Sequence, residues 1–147
     1  MATPPSAGAG QELFHRRHGG RGLRVVLADD DHDTVATLAL ILENAGHEVY
    51  PLYDGRDVLP RARLVRPDAI ILDIQVPGMS GYAVAQAIRY SFTDARRPLL
   101  IAISGKWNEA PDRQVGRQVG FDYHFPKPCD PQVLVSLLAS LQRPDAP

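Results

Sequence analysis

Three short stretches of this chain are apolar without interruption, and each one ends on a polar group. Val25-Val26-Leu27-Ala28 leads into Asp29-Asp30-Asp31, Ala69-Ile70-Ile71-Leu72 into Asp73, and Leu99-Leu100-Ile101-Ala102-Ile103 into Ser104-Gly105. A short apolar run between turn residues reads as a strand buried on both faces. Such strands occur mostly in parallel sheets covered by helices. A fourth segment, Tyr123-His124-Phe125-Pro126, runs into Lys127 in the same manner. In a parallel sheet these ends share one rim, so acids, a hydroxyl and an amine would gather around one point.

Helical patterns fill the intervals. Val35, Leu38, Ile41, Leu42 and Ala45 recur at helical spacing, and Gly46 supplies a stop. His47 to Leu52 reads as a short second strand, and Arg56 to Val65 as a helix with Leu59 and Val65 facing inward. Pro60 conflicts with that helix because it lacks an amide donor and crowds the preceding turn, so the helix either starts late or is kinked. A glycine-bearing loop, Pro77-Gly78-Met79-Ser80-Gly81, precedes a helix Tyr82 to Arg89 with Val84, Ala87 and Ile88 as its stripe. The fourth strand is expected from Pro98, and a further helix near Asp112 to Val119. The last helix, Pro131 to Leu141, has Val133, Leu134, Leu137, Leu138 and Leu141 on its face and proline at its favoured first position. Five strands alternating with five helices predict an α/β fold: a doubly wound parallel sheet in the order 2-1-3-4-5, with helices on both faces. Ligands of such sheets bind beyond the carboxyl ends where strand order reverses, between the first and third strands. Those strands end in Asp29-Asp30 and Asp73.

Composition narrows the class. An apolar share of 44% and a charged share of 22% are ordinary for a globular domain. No run approaches the ~18 apolar residues of a membrane span, and the N-terminus lacks a secretory apolar core. A net charge of −1 gives no electrostatic reason to expect nucleic-acid binding. The single cysteine, Cys129, fits a reducing compartment, and a cytoplasmic location is expected. The only lysines are Lys106 and Lys127, against a background of arginine. Residues 1–22, with their His15-Arg16-Arg17-His18 cluster, read as a disordered leader, residues 23–142 as the folded domain and residues 143–147 as a disordered tail.

Closely placed carboxylates repel one another, and a hard divalent cation relieves this. Mg2+ binds through one or two carboxylates, keeps several waters and meets phosphate oxygens. Asp29, Asp30 and Asp73 therefore suit a Mg2+ seat that a phosphoryl group completes. An aspartate can itself be the nucleophile and become an aspartyl phosphate, with Ser104 and Lys127 donating to the phosphoryl oxygens. Asp29, Asp31 and Asp33 alternate like a calcium loop, but Thr34 and Leu40 stand where that loop needs Gly and Glu. Asp31-His32-Asp33-Thr34-Val35 also imitates the entry motif of haloacid-dehalogenase-like phosphatases, an alternative that leaves Asp73 and Lys127 without a role.

Across about residues 23–141 the chain resembles the receiver domain of a bacterial two-component response regulator. The similarity is carried by Val25 to Asp31, by Pro67-Asp68-Ala69-Ile70-Ile71-Leu72-Asp73 with Ile74 to Tyr82, by Ile101 to Gly105, and by Gly120-Phe121-Asp122-Tyr123-His124-Phe125-Pro126-Lys127-Pro128. The last piece is similar to receivers attached to hybrid histidine kinases. The resemblance implies a flavodoxin-like fold with Asp73 as phosphoacceptor. It also implies Mg2+ held by Asp30, Asp73 and the Gln75 backbone carbonyl, with Asp29 acting through water. Ser104 takes the place of the switch hydroxyl, and Lys127 that of the family's lysine, with a cis bond to Pro128. The switch aromatic of the family, Tyr or Phe, corresponds to His124 here, and Gly105 stands where alanine is more usual.

The function so implied is that of a phosphoacceptor signalling protein rather than an enzyme acting on an outside substrate. Its partner would be a histidine kinase or a histidine phosphotransfer protein, with output by protein contact and neither nucleic acid nor membrane involved. Because the sequence ends six residues after the last helix, a stand-alone receiver is expected. The competing readings are a receiver-like interaction module not regulated by phosphorylation and a receiver belonging to a longer hybrid kinase.

Overall fold

Every residue of Ala69–Asp73, the third strand (β3), is buried. Burial on both faces is possible only in the middle of a covered sheet. The computed structural model describes residues 22–94, 97–105 and 119–141, and supplies that sheet. Its other strands are β1 (Arg24–Ala28), β2 (Glu48–Leu52), β4 (Leu99–Ser104) and β5 (Tyr123–Pro126), in the order β2-β1-β3-β4-β5. All pairings are parallel, with Ala28 opposite Leu72 and Asp73 opposite Ile103. The expected fold and strand order are those observed.

Strand side chains alternate between two cores. Val26, Ile70, Leu72 and Leu100 pack with α2 (Val58–Val65) and α3 (Gly81–Ser91). Val25, Leu27, Ile71, Ile101 and Ile103 pack on the opposite face with α1 (His32–Asn44) and α4 (Pro131–Leu141). The helix expected near Asp112 to Val119 lies, apart from its last residue, outside the described residues, as do Lys106 and the terminal segments. No helix among the described residues is long and apolar enough to cross a membrane.

Three helix faces differ from expectation. A 3-10 turn, Gly55–Asp57, precedes α2, which begins only at Val58. Pro60 thus falls in the first turn, where the missing amide would have had no intrahelical partner. The late start rotates the face, so Val58 and Ala62 are buried while Leu59 and Val65 only flank the core. In α3, Ala85 rather than Ala87 joins Val84 and Ile88 inside. In α4 only Leu134 and Leu138 are fully buried; Leu137 packs partly buried against the core, and Val133 and Leu141 are exposed.

Candidate phosphoacceptor and metal site

Asp29 follows β1 directly, and its amide donates to the Leu52 carbonyl at the end of β2 (3.1 Å). One oxygen of its buried carboxylate accepts the Asp31 amide at 3.0 Å. Asp31 itself caps α1, accepting from the amides of Asp33 and Thr34 and from the Thr34 hydroxyl. The Thr34 hydroxyl bond first, and then these amides, hold the Asp31 carboxyl below its ordinary range. Its oxygens are thereby occupied as a cap, which favours neither the calcium-loop nor the phosphatase reading. Asp30, between them, is exposed.

Asp73 closes β3 and is buried, with 6% of its surface exposed. Its Oδ1 accepts the Gln75 amide (3.0 Å), and its Oδ2 accepts from Lys127 Nζ (3.0 Å). The same Nζ lies 3.0 Å from Asp29 Oδ2, so one ammonium bridges two buried carboxylates. Burial pushes the Asp73 carboxyl above its ordinary value; the Gln75 amide and Lys127 oppose this, and the Asp29 charge adds to it. Burial works against charge on Lys127 as well, but hydrogen bonds and attraction from Asp29 and Asp73 hold its ammonium above the ordinary lysine value.

Lys127 is placed by the sheet. Its amide donates to the Ser104 carbonyl (3.1 Å), and the Lys127–Pro128 bond is cis. Ser104 is buried at the end of β4, one residue beyond the Ile103 that pairs with Asp73. His124 is half-buried on β5 opposite Ala102, and its ring meets Phe121 edge-on at 6.0 Å. Tyr123 and Phe125 lie parallel to one another at 6.4 Å, on the other face by strand alternation. Of the three, His124 therefore shares a face with Ser104. Gln75 lies in the turn immediately after Asp73.

Asp29, Asp30 and Asp73 each offer a carboxylate oxygen within 4.8 Å of the other two. Three carboxylates and one ammonium leave two uncompensated negative charges, which a divalent cation would neutralise, and oxygen-only donors suit a hard ion. The residues fit Mg2+. A cavity of about 580 Å3 opens onto Asp29, Asp73 and Lys127, passing between Thr34 and Thr37 of α1 and Pro131 of α4, so the acids are reachable from outside.

The chain matches the family model of the response regulator receiver domain over residues 25–139. It belongs to that family. This receiver domain is 37% identical over 120 residues to the transcriptional regulatory protein PrrA of Mycobacterium leprae, covering 82% of this chain and 50% of that protein. It is 31% identical over 123 residues to the DNA-binding response regulator MtrA of Mycolicibacterium paratuberculosis, covering 83% and 52%. The chain thus spans about half the length of the curated relatives it matches. Among solved structures it is similar to the receiver domain of the sensor histidine kinase PA1611 from Pseudomonas aeruginosa, which has a magnesium ion coordinated in its active-site cleft (TM-score 0.72, 26% identity, 82% and 98% of the two chains). It is also similar to the chemotaxis response regulator CheY4 of Vibrio cholerae (TM-score 0.71, 28% identity, 82% and 98%).

The receiver's acids, hydroxyl and lysine are legible at strand ends. Two neighbours are not. His32, two residues after Asp30, lies face to face with Tyr53 at 4.0 Å, and no sequence signal joins residues so far apart. Asp54 caps the turn into α2 through the Arg56 amide (2.7 Å), a role the Asp54-Gly55 pair could have suggested.

Proposed function

We propose that this receiver domain accepts a phosphoryl group on Asp73 from the phosphohistidine of a histidine kinase or a histidine phosphotransfer protein, with Mg2+ bound. The observation that carries this reading is the single ammonium of Lys127 at 3.0 Å from both Asp29 and Asp73. A purely structural lysine would not need to be set between two buried carboxylates that open onto a cavity. The ionised Asp73 attacks phosphorus; the phosphorus–nitrogen bond breaks, its electron pair stays on the donor imidazole, and an acyl phosphate forms. Asp29, Asp30, Asp73 and the Gln75 carbonyl are assigned to the metal, which supplies charge neutralisation at the phosphoryl oxygens. Lys127 and the Ser104 hydroxyl donate to those oxygens as charge builds on them.

Loss of the acyl phosphate by hydrolysis resets the domain, which therefore consumes its own phosphoryl group and is not assigned an outside substrate. Output is assigned to protein contact, with Ser104 and His124 as switch residues sharing one sheet face. The net charge of −1 gives no electrostatic attraction for nucleic acid. No DNA contact is assigned to this domain, although MtrA is named a DNA-binding regulator and the chain matches only about half of it. A cytoplasmic location follows from the phosphodonor chemistry and the lone cysteine.

Incubating the domain with a phosphorylated histidine donor and Mg2+ should give an acid-labile, hydroxylamine-sensitive label. Asp73→Asn should remove it while leaving the circular dichroism spectrum unchanged. A label of wild-type intensity in that variant would move the acceptor elsewhere and overturn the reading.

A further inference from the structure

The three carboxylates of the acidic rim are not held equally. Asp29 accepts the Asp31 amide and faces Lys127, and Asp73 accepts the Gln75 amide and faces the same ammonium. The exposed Asp30 carboxylate accepts no hydrogen bond and forms no ion pair among the described residues. Its direction must come from the backbone of the turn that bears it.

That turn is fastened at two points beyond the end of β1. On one side Asp31 caps α1. On the other, the imidazole of His32, the first residue of α1, lies flat on the Tyr53 ring, with centroids 4.0 Å apart and planes within 5°. Tyr53 directly follows Leu52, whose carbonyl takes the Asp29 amide. The same connection between β2 and α2 is tied to the turn after Asp73: the Gly55 amide donates to the Pro77 carbonyl (2.8 Å), and the Asp54 carboxylate presses against Gly78, leaving no room for a Cβ there. Residues 53–55 therefore link the turn carrying Asp30 to the turn that follows Asp73. Tyr53 keeps 39% of its surface exposed and His32 is exposed too, so the pair fills no core; what it fixes is the approach of two loops.

We propose that the Tyr53–His32 ring pair is a positioning device for Asp30, holding its carboxylate toward Asp29 and Asp73 and so setting the affinity of the rim for a divalent cation. This rests on the reading of the three aspartates as that cation's site. An exposed ring pair makes a modest contribution, so the expected effect of its loss is a three- to tenfold weaker affinity, at most about 1.4 kcal/mol at that constant per tenfold.

The test is calorimetric titration of the full chain with Mg2+, repeated with Mn2+ followed by its electron paramagnetic resonance signal, alongside thermal unfolding in EDTA. Asp30→Asn should abolish or nearly abolish binding. Tyr53→Ala and His32→Ala should each weaken it three- to tenfold with the metal-free melting temperature unchanged, and Tyr53→Phe should bind as wild type. The double variant Tyr53→Ala/His32→Ala should be no weaker than either single, because both remove one interaction. Wild-type affinity in Tyr53→Ala, equal weakening by Tyr53→Phe, or additive losses in the double variant would overturn the positioning role while leaving the cation site intact. Wild-type affinity in Asp30→Asn would overturn the cation site, and the inference with it.

Discussion

In the proposed reaction Asp73 is ionised to attack a phosphoryl group, yet the fold buries it, and burial raises its proton affinity more than the Gln75 amide and Lys127 lower it. An acid whose folded-state value lies above its unfolded value binds protons more readily when folded. Stability then rises as pH falls from the raised value toward the ordinary 3.8, and the ionised group is a net cost at neutrality. Asp73→Asn removes the buried charge and keeps one oxygen for the Gln75 amide, while giving up the second oxygen that accepts from Lys127. In EDTA at neutral pH it should therefore melt a few degrees above wild type, the scale of about 1 kcal/mol in a domain of this size. Added Mg2+ should raise the melting temperature of wild type far more than that of the variant. A variant that melts below wild type without metal would mean that the lysine bridge outweighs burial. The candidate site residues were legible in the sequence because each lies at or just beyond the end of a strand, so the sheet alone brings them together. The Tyr53–His32 contact was not, because it depends on how two loops lean after the strands have ended.

At the scale of elements, the sequence patterns located strands well and helix faces less well. Strand alternation has a period of two and tolerates little error, whereas a one-residue shift in a helix start turns its face by about 100°. In α2, which begins at Val58 after a 3-10 turn, the fully buried residues are Val58 and Ala62, with Leu59 and Val65 at the edge of the core. The loops around the site show a second limit, because glycine in a sequence does not say whether it is needed. Gly78 has φ +89° and lies against the Asp54 carboxylate, while a Cβ added at Gly105 would meet, among the described residues beyond its chain neighbours, only the Lys127 Cβ, at 3.9 Å. Gly78→Ala meets both a left-handed backbone and a collision, and should destabilise by about 1–3 kcal/mol. Gly105→Ala, which installs the residue more usual in the family, should stay within about 0.5 kcal/mol of wild type. Urea unfolding midpoints of the two variants check this; equal values would mean that the turn after Asp73 yields easily, and would weaken the case for a rigid link between the loops.

Across the whole molecule the two ends of the sheet do different jobs. The carboxyl ends of the strands gather three carboxylates against one ammonium, an excess of negative charge, and the amino ends spend polar groups on fastening. There the Arg89 guanidinium donates to the carbonyls of Gly120 and Pro98 and to the Asp122 carboxylate, which in turn accepts the Leu100 amide. Asp68 joins the starts of β1 and β4 by accepting the Arg24 amide on its side chain and the Leu99 amide on its carbonyl. The order of the sheet was legible because apolar runs and right-handed crossovers leave few alternatives. This fastening was not, because it joins side chains to backbone groups distant in the chain.

His47 belongs to the same end. It is buried, and its Nδ1 accepts the Leu23 amide at 3.3 Å, which requires the neutral ring. Burial lowers its pKa from 6.5 to about 4, against a weaker pull upward from Asp68. A base with a depressed folded-state value contributes its full stability above the unfolded value of 6.5 and loses it as pH falls toward 4, since the unfolded chain takes up the proton first. Across that window the loss attributable to this residue approaches about 3 kcal/mol. His47→Asn offers an oxygen where Nδ1 stands but cannot titrate. Urea unfolding of both proteins between pH 7 and pH 4 should therefore show a steeper fall for wild type, even if the variant starts from a lower stability at pH 7 because its smaller side chain packs less well. Parallel curves would mean that the ring is solvated enough to charge in the folded state, and that the acid sensitivity of the domain comes from its carboxylates alone.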